Sequence, residues 1–189
     1  MNNPSWWDYR SLFERYRNGA DIFVETGTHQ GESVRDALEL GYHKVISVEI
    51  LPELQQRNQA HFDGDERVHL FTGDSNVLMP EMLELVAAPA VFWLDGHFEH
   101  GLPVWRELDY ISEHVIRTHT IIIDDIGLLY PNDIERLKQR ILEINPRYQF
   151  VIENQVRCNY LGQPGAWHRD EPWHLVAWCQ GNTQVLVAE

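Results

Sequence analysis

Short apolar runs that end in a polar or acidic residue recur along the chain. There are seven, at residues 21–25, 44–49, 68–74, 90–95, 120–125, 149–153 and 174–178. They are largely continuous stretches of β-branched and aromatic residues, a composition typical of strands buried on both faces of a parallel sheet. The pattern therefore predicts a seven-stranded sheet.

Segments with helical spacing lie between the first five runs. They cover residues 33–40, 52–60, 78–86 and 104–115, and a further segment, residues 133–144, follows the fifth run. In the first segment Val34, Ala37 and Leu38 fall on one face, as in an amphipathic helix. Alternation of strand and helix predicts parallel strands joined by right-handed crossovers and flanked by helices.

The last two runs are not separated by a helix of comparable length. The Gly162-Gln-Pro-Gly165 turn between them favours an antiparallel return. The expected fold class is α/β, with a mostly parallel sheet and an antiparallel C-terminal β-return. We expect residues 1–189 to form one domain, made of an N-terminal helical segment (1–20), a core of alternating units (21–126) and a final helix with the β-return (127–189).

The charge balance is strongly acidic. The 189 residues include 15 Lys and Arg against 29 Asp and Glu, a formal net charge of −14. Such a surface repels phosphate groups and no basic stripe offsets it, so we expect neither nucleic acid nor a membrane as a partner. The first residues do not resemble a signal peptide, and no apolar run approaches the roughly 20 residues of a membrane span. Cys158 and Cys179 show neither a CxxC nor a zinc-finger spacing, and we expect reduced thiols in a cytoplasmic protein.

Acidic residues mark the ends of the first five predicted strands. They are Glu25, Glu49, Asp74, Asp95 and the pair Asp124-Asp125. Helix capping explains one or two of them. Carboxylates gathered at one rim repel one another unless cations or hydroxyl-bearing ligands lie between them. Because ligands of open α/β sheets bind beyond the carboxyl ends of the strands, the pattern predicts a binding crevice there.

A glycine-containing loop follows the first strand and reads Glu25-Thr-Gly27-Thr28-His-Gln-Gly31-Glu-Ser33. Gly27 permits a tight turn, and Gly31 lets a ligand approach the backbone where the helix begins. The spacing G-x-x-x-G differs from the dinucleotide fingerprint G-x-G-x-x-G. Glu49 ends the next strand about 20 residues later, the arrangement that grips ribose hydroxyls.

Residues 21–126 resemble the class I S-adenosylmethionine-dependent methyltransferases, which have a Rossmann-like sheet. The resemblance implies that the loop bearing Glu25, Gly27 and Gly31, with Thr28 and Ser33, holds the methionine part of the cofactor. It implies that Glu49 holds the ribose, and that Asp74, with Ser75 or Asn76, contacts the adenine. Asp95 also belongs to the expected cofactor site.

The segments Leu94-Asp95-Gly-His97 and Ile123-Asp124-Asp125 resemble the metal-assisted small-molecule O-methyltransferases, and a set of uncharacterised methyltransferase-like proteins shares the FWLD-x-H segment. The resemblance implies Mg²⁺ or Mn²⁺ on Asp95, Asp124 and Asp125. It also makes Asp95 and His97 the expected catalytic residues. Some catechol-type members use a lysine three residues after the fourth-strand aspartate, a position held here by Phe98, so His97 is the expected base.

The expected function is O-methylation of a small hydroxylated molecule, with nitrogen acceptors also open. Three other functions stay open from the residues. They are a metal-dependent hydrolase that uses the Asp/His cluster, a nicotinamide-dependent oxidoreductase, and a protein that binds S-adenosylmethionine or its product without turnover or uses the cofactor for a reaction other than methylation. The sequence also leaves a homodimer open. Several aromatic residues could wall a substrate pocket or cover an interface, with packing slightly favoured: Tyr160, Trp167 and Trp173, and equally Trp6, Trp7 and Tyr9.

Overall fold

The computed structural model describes residues 9–97, 101–154 and 172–179. The strands are β1 (Ile22–Thr26), β2 (Lys44–Glu49), β3 (Val68–Thr72), β4 (Ala90–Leu94), β5 (Thr120–Ile123), β6 (Tyr148–Glu153) and β7 (His174–Cys179). The helices are α1 (Tyr9–Arg15), α2 (Glu32–Glu39), α3 (Pro52–His61), α4 (Ser75–Glu84), α5 (Val104–Glu113), α6 (Ile126–Leu129) and α7 (Ile134–Ile144). Within these ranges, no helix combines the length and the apolar character needed to cross a membrane.

The strands form one sheet in the order β3-β2-β1-β4-β5-β7-β6. Neighbouring strands from β3 to β5 pair in parallel, whereas β7 runs antiparallel to both β5 and β6. The predicted α/β class, with a mostly parallel seven-stranded sheet and an antiparallel C-terminal return, is confirmed. The strand order reverses between β1 and β4, and such a switch point opens a crevice at the carboxyl ends of the strands.

Two apolar layers enclose the sheet. On one face Val24, Ile46 and Phe92 pack with residues of α4, α5 and α7. On the other face Phe23 and Trp93 pack with α1 and α2. Successive residues of a strand therefore enter opposite layers, and both are buried. This explains why the strands read as continuous apolar runs rather than as alternating ones.

Two helices differ from the sequence prediction. Helix α4 begins at Ser75 rather than at residue 78, because the Asp74 side chain caps it by accepting a hydrogen bond from the backbone N of Asn76 at 2.8 Å. Helix α6 was not predicted, since four residues contain no complete helical period. The predicted turn at residues 162–165 lies outside the described residues, although β6 and β7 do pair antiparallel.

Candidate functional site

A crevice of about 720 Å³ opens at the carboxyl ends of β1, β2, β4 and β5, at the switch point of the sheet. This volume suits a small organic ligand. Eleven of the thirteen site residues named from the sequence line it: Gly27, Thr28, Ser33, Glu49, Asp74, Ser75, Asn76, Asp95, His97, Asp124 and Asp125. Glu25 and Gly31 are not among the lining residues.

Gly27 lies where the loop after β1 crosses the loop after β4. Its φ is 91°, and a Cβ atom at this position would lie 2.8 Å from the Asp95 carbonyl oxygen. Its backbone N donates to the carbonyl oxygen of Val48 at 2.9 Å, and the backbone N of Thr28 donates to the same oxygen at 3.2 Å. A side chain at position 27 would therefore push the two loops apart. Glycine is required here for both conformation and space.

Gly31 has a packing reason to be glycine besides the predicted approach of a ligand, which stays a prediction. It precedes α2 with φ 74°, and a Cβ atom there would lie 2.9 Å from Asn58 Oδ1 and 2.9 Å from Phe62 Cε2. Asn58 also donates from Nδ2 to the carbonyl oxygen of His29 at 2.9 Å. The contact at Gly31 thus joins the glycine loop to α3. Close approach of a ligand was the sequence-based expectation for this residue.

Glu25 lies beneath the glycine loop with no exposure to solvent. Its carboxyl group accepts hydrogen bonds from the hydroxyls of Ser33 and, at 2.7 Å, Ser47. Burial raises the pKa of Glu25 to about 7, and the two hydroxyl donors only partly oppose this. The structure makes Glu25 a support for the loop. Ser47, on β2, also contacts the loop, because its Oγ lies 2.6 Å from Thr28 Oγ1.

Glu49 carries a carboxylate that is held at both oxygens. Oε2 accepts from the backbone N of His29 at 2.8 Å, and Oε1 accepts from the backbone N of Leu51 at 2.9 Å. The residue is only 5% exposed but lines the crevice. Each carboxylate oxygen can accept a second hydrogen bond, so a ligand diol could be bound by both.

The adenine-side candidates, Asp74 and Ser75, also line the crevice. Asp74 is exposed and caps α4, whereas Ser75 is buried in the first turn of that helix. The capping contact alone accounts for an acid at position 74. Its predicted contact with adenine stays a prediction.

An acid–imidazole cluster lies at the other end, after β4 and β5. Asp95, His97 and Asp125 each offer a ligand atom, and these atoms lie within 4.8 Å of one another. His97 Nδ1 is 3.3 Å from Asp95 Oδ1. The hydrogen bond to Asp95 raises the pKa of His97. A protonated imidazole cannot accept a proton, so His97 can act as the predicted base only after this pairing changes.

Asp124 is not part of this cluster among the described residues. It is 3% exposed, and its Oδ1 lies 2.9 Å from Nε2 of His174, which is equally buried. Oδ1 also accepts from the backbone N of Asp125 at 2.7 Å, and Oδ2 accepts from the Tyr9 hydroxyl at 3.3 Å. The structure therefore places His97, rather than Asp124, with the other two predicted metal ligands.

The sequence did not indicate His174 as a site residue, and it left Tyr9 open between a pocket wall, an interface and packing. Tyr9 lines the crevice and packs on Trp93 with ring centroids 4.8 Å apart. No local pattern signals a contact between residues that are 115 positions apart, as Tyr9 and Asp124 are. Among the other aromatic residues left open for a pocket wall, Trp173 is 1% exposed and packs in the interior. Tyr160 and Trp167 lie outside the described residues.

A second carboxyl group with no solvent exposure, besides that of Glu25, lies close to Gly96. Glu107, on α5, has no solvent exposure, and its Oε1 would lie 3.3 Å from a Cβ atom at Gly96. Burial raises the pKa of Glu107 to about 7, and the hydroxyls of Ser75 and Thr26 oppose this only in part. Because the folded-state pKa is raised above the ordinary value of 4.5, this group makes folding less favourable as the pH rises from about 4.5 to 7.

Replacing Glu107 with glutamine should remove that penalty. We expect Glu107→Gln to be about 1–3 kcal/mol more stable than the wild type at pH 8 and equally stable near pH 4.5. Urea unfolding at the two pH values measures this. Glu113→Gln, an exposed change on the same helix, is the control and should match the wild type at both. Equal pH dependence in wild type and Glu107→Gln would show that the carboxyl group is not titrating in this range.

The fold is shared with solved structures, although no protein-family model matches the chain and no curated protein matches its sequence. An O-methyltransferase from Bacillus cereus, in complex with SAH, superposes with a TM-score of 0.63 at 14% identity, over 95% of this chain and 82% of that one. The O-methyltransferase TomG from Streptomyces achromogenes, in complex with SAM, gives 0.63 at 12% identity, over 96% and 82%. Spermidine synthase from Thermotoga maritima gives 0.60 at 10% identity, over 94% and 59%. The chain thus has the class I S-adenosylmethionine-dependent methyltransferase fold, as the sequence resemblance predicted.

Proposed function

We propose that the protein is an S-adenosylmethionine-dependent methyltransferase that methylates an oxygen of a small hydroxylated molecule with the help of a divalent cation. One observation carries the proposal: the amide-held carboxylate of Glu49 lines the same crevice as the aspartates after β4 and β5. A cofactor end and a reaction end are thereby joined. The similarity in fold to the Bacillus and Streptomyces O-methyltransferases supports the proposal.

The residues of the cofactor end fit S-adenosylmethionine. Glu49 offers two oriented oxygens to a ribose diol. At Gly27, where the loops after β1 and β4 cross, the glycine loop presents its backbone to the crevice because the residue has no side chain. When bound, the cofactor supplies an electrophilic methyl group on a sulfonium. The chain's own part is to bind, to orient and to hold the acceptor oxygen in line, which is worth up to roughly 7–11 kcal/mol in favourable systems.

The donor set of Asp95, His97 and Asp125 fits a divalent cation. Two carboxylates and an imidazole suit Mn²⁺ better than Mg²⁺, which prefers oxygen ligands alone. A bound cation would lower the pKa of an acceptor hydroxyl. We propose that Asp95 and Asp125 bind it and that His97, released from its pairing with Asp95, serves as ligand or base.

Amines form a second class of acceptor, which the charge of the crevice favours. Six carboxylates line it, from Glu32, Glu49, Asp74, Asp95, Asp124 and Asp125, and no lysine or arginine is found among its described lining residues. This environment attracts cationic acceptors, admits neutral ones and repels anionic ones. A spermidine synthase also has this fold, so the fold is not restricted to proteins that are called methyltransferases. The predicted cytoplasmic location, the lack of nucleic-acid partners and the open question of a homodimer stay at the level of prediction.

Calorimetry with S-adenosylhomocysteine tests the proposal. We expect binding at one site per chain in the micromolar range, with Mn²⁺ binding as a second event. NAD is the comparison ligand, and binding of NAD without S-adenosylhomocysteine would contradict the proposed function. Turnover on a panel of diols, catechols and amines, followed by release of S-adenosylhomocysteine, then identifies the acceptor class.

A further inference from the structure

The backbone of Asp125 has an unusual conformation for a residue other than glycine. Its φ is 52° and its ψ is 30°, in the left-handed region that L-amino acids avoid and that aspartate tolerates better than most. Asp125 is the N-cap residue of the short helix α6, and the backbone N atoms of Leu128 and Leu129 donate to its carbonyl oxygen at 3.0 and 2.8 Å. The orientation of its carboxylate therefore depends on what holds this turn.

One set of contacts to this turn comes from the segment that leads into β7. The backbone N of Ile126 donates to the carbonyl oxygen of Trp173 at 3.0 Å. Gly127 packs so tightly there that a Cβ atom would lie 2.4 Å from the carbonyl oxygen of Pro172. Helix α6 and the start of β7 thus form one closely packed unit.

A second set of contacts to this turn comes from the side chain of Asp124. Its Oδ1 accepts from the backbone N of Asp125 at 2.7 Å, and Nε2 of His174 lies 2.9 Å from the same oxygen. The Tyr9 hydroxyl donates to Oδ2 at 3.3 Å, while the Tyr9 ring packs on Trp93. Both Asp124 and His174 are 3% exposed, so this carboxylate has exchanged water for partners from α1, β7 and its own neighbour.

We infer that Asp124 is a positioning residue, held by His174 and Tyr9, that fixes the left-handed turn and thereby directs the Asp125 carboxylate toward Asp95 and His97. This inference builds on the proposed cation site, in which Asp125 is a ligand. It differs from the sequence prediction, which made Asp124 itself a ligand. Side chains that orient metal ligands typically change metal affinity 10- to 100-fold when replaced.

Mn²⁺ binding, measured by electron paramagnetic resonance in the presence of S-adenosylhomocysteine, separates the two roles of Asp124. Asp124→Asn keeps an oxygen that can accept from the Asp125 amide, so we expect its Mn²⁺ affinity to stay within about threefold of the wild type. Asp125→Asn should lose about 10- to 100-fold. Equal losses in the two variants would make Asp124 a ligand and overturn the inference.

Replacing His174 tests the positioning itself. His174→Leu should weaken Mn²⁺ binding about tenfold, and His174→Gln, which can return an N–H near the position of Nε2, should restore most of it. Affinity for S-adenosylhomocysteine should stay unchanged in both, because Glu49 and Gly27 lie on β1, β2 and their loops. Failure of His174→Gln to restore binding that His174→Leu has lost would contradict the inference.

Amide hydrogen exchange gives a readout that needs no metal. The Asp125 amide should exchange at least about tenfold faster in His174→Leu than in the wild type, with the Gly27 and Thr28 amides as internal references. If His174→Leu accelerates the exchange of all amides alike, the experiment is done on Tyr9→Phe instead, since that variant keeps the ring and removes only the hydroxyl. An Asp125 amide as slow as wild type in Tyr9→Phe would then overturn the inference. A wild type that binds S-adenosylhomocysteine but no Mn²⁺ would refute the proposed cation, and exchange would still decide the role of Asp124.

Discussion

Glu49→Gln is expected to weaken the binding of S-adenosylhomocysteine about 100-fold, or by about 2.7 kcal/mol. Both oxygens of Glu49 accept from backbone N–H groups, and a glutamine must turn its NH₂ group toward one of these donors. The change removes the charged acceptor for a ribose diol and also disturbs the loop that carries His29. Calorimetry on the folded variant measures the loss.

Glu32→Gln is the matched control for this prediction. Glu32 is exposed and lines the same crevice, so its replacement removes the same charge without removing an amide-held acceptor. We expect its affinity for S-adenosylhomocysteine to stay within about threefold of the wild type, as is usual for exposed charges. Wild-type affinity in a folded Glu49→Gln variant would disprove the assignment of the cofactor end.

Asp95→Asn is expected to lower kcat by a factor of about 100 to 1,000, while the affinity for S-adenosylhomocysteine changes less than about threefold. The Asp95 side chain belongs to the cluster with His97 and Asp125, and asparagine preserves its shape but not its charge. The backbone carbonyl of Asp95, which lies against Gly27, is unchanged by the substitution. Turnover and calorimetry on the same preparation separate the two effects.

A charge-matched control for Asp95→Asn is Asp63→Asn, in the exposed loop after α3. It should leave both kcat and cofactor affinity unchanged, because it removes one exposed charge that is not among the described residues lining the crevice. Parallel loss of turnover and cofactor affinity in Asp95→Asn would show that the two ends of the crevice do not act separately.

The strands were predictable because the sheet is covered on both faces. Phe23 and Val24 are adjacent, enter opposite apolar layers and are both fully buried, so the sequence must be apolar without interruption. The start of α4 was placed too late, since a cap formed by Asp74 does not show in hydrophobic spacing. A helix as short as α6 leaves no periodic trace at all.

Much of the site was predictable for a similar reason. Parallel strands end at one edge, so acids that follow successive strands meet there without any knowledge of tertiary contacts. The details were less accessible. The reason for glycine at position 31 is the packing of Phe62 against it, and the partner of Asp124 is a histidine on a strand that pairs with β5. Such contacts depend on where helices and distant strands come to rest, which spacing along the chain does not encode.

The contact between Asp124 and His174 can form only late in the synthesis of the chain. Every described residue that lines the crevice has been synthesised once position 125 has been added to the chain. The histidine that contacts Asp124 is added only at position 174. Until then β5 has no antiparallel neighbour and would form an open margin of the sheet. A nascent chain can therefore contain all the described residues that line the crevice while the reaction end of the crevice is still unformed.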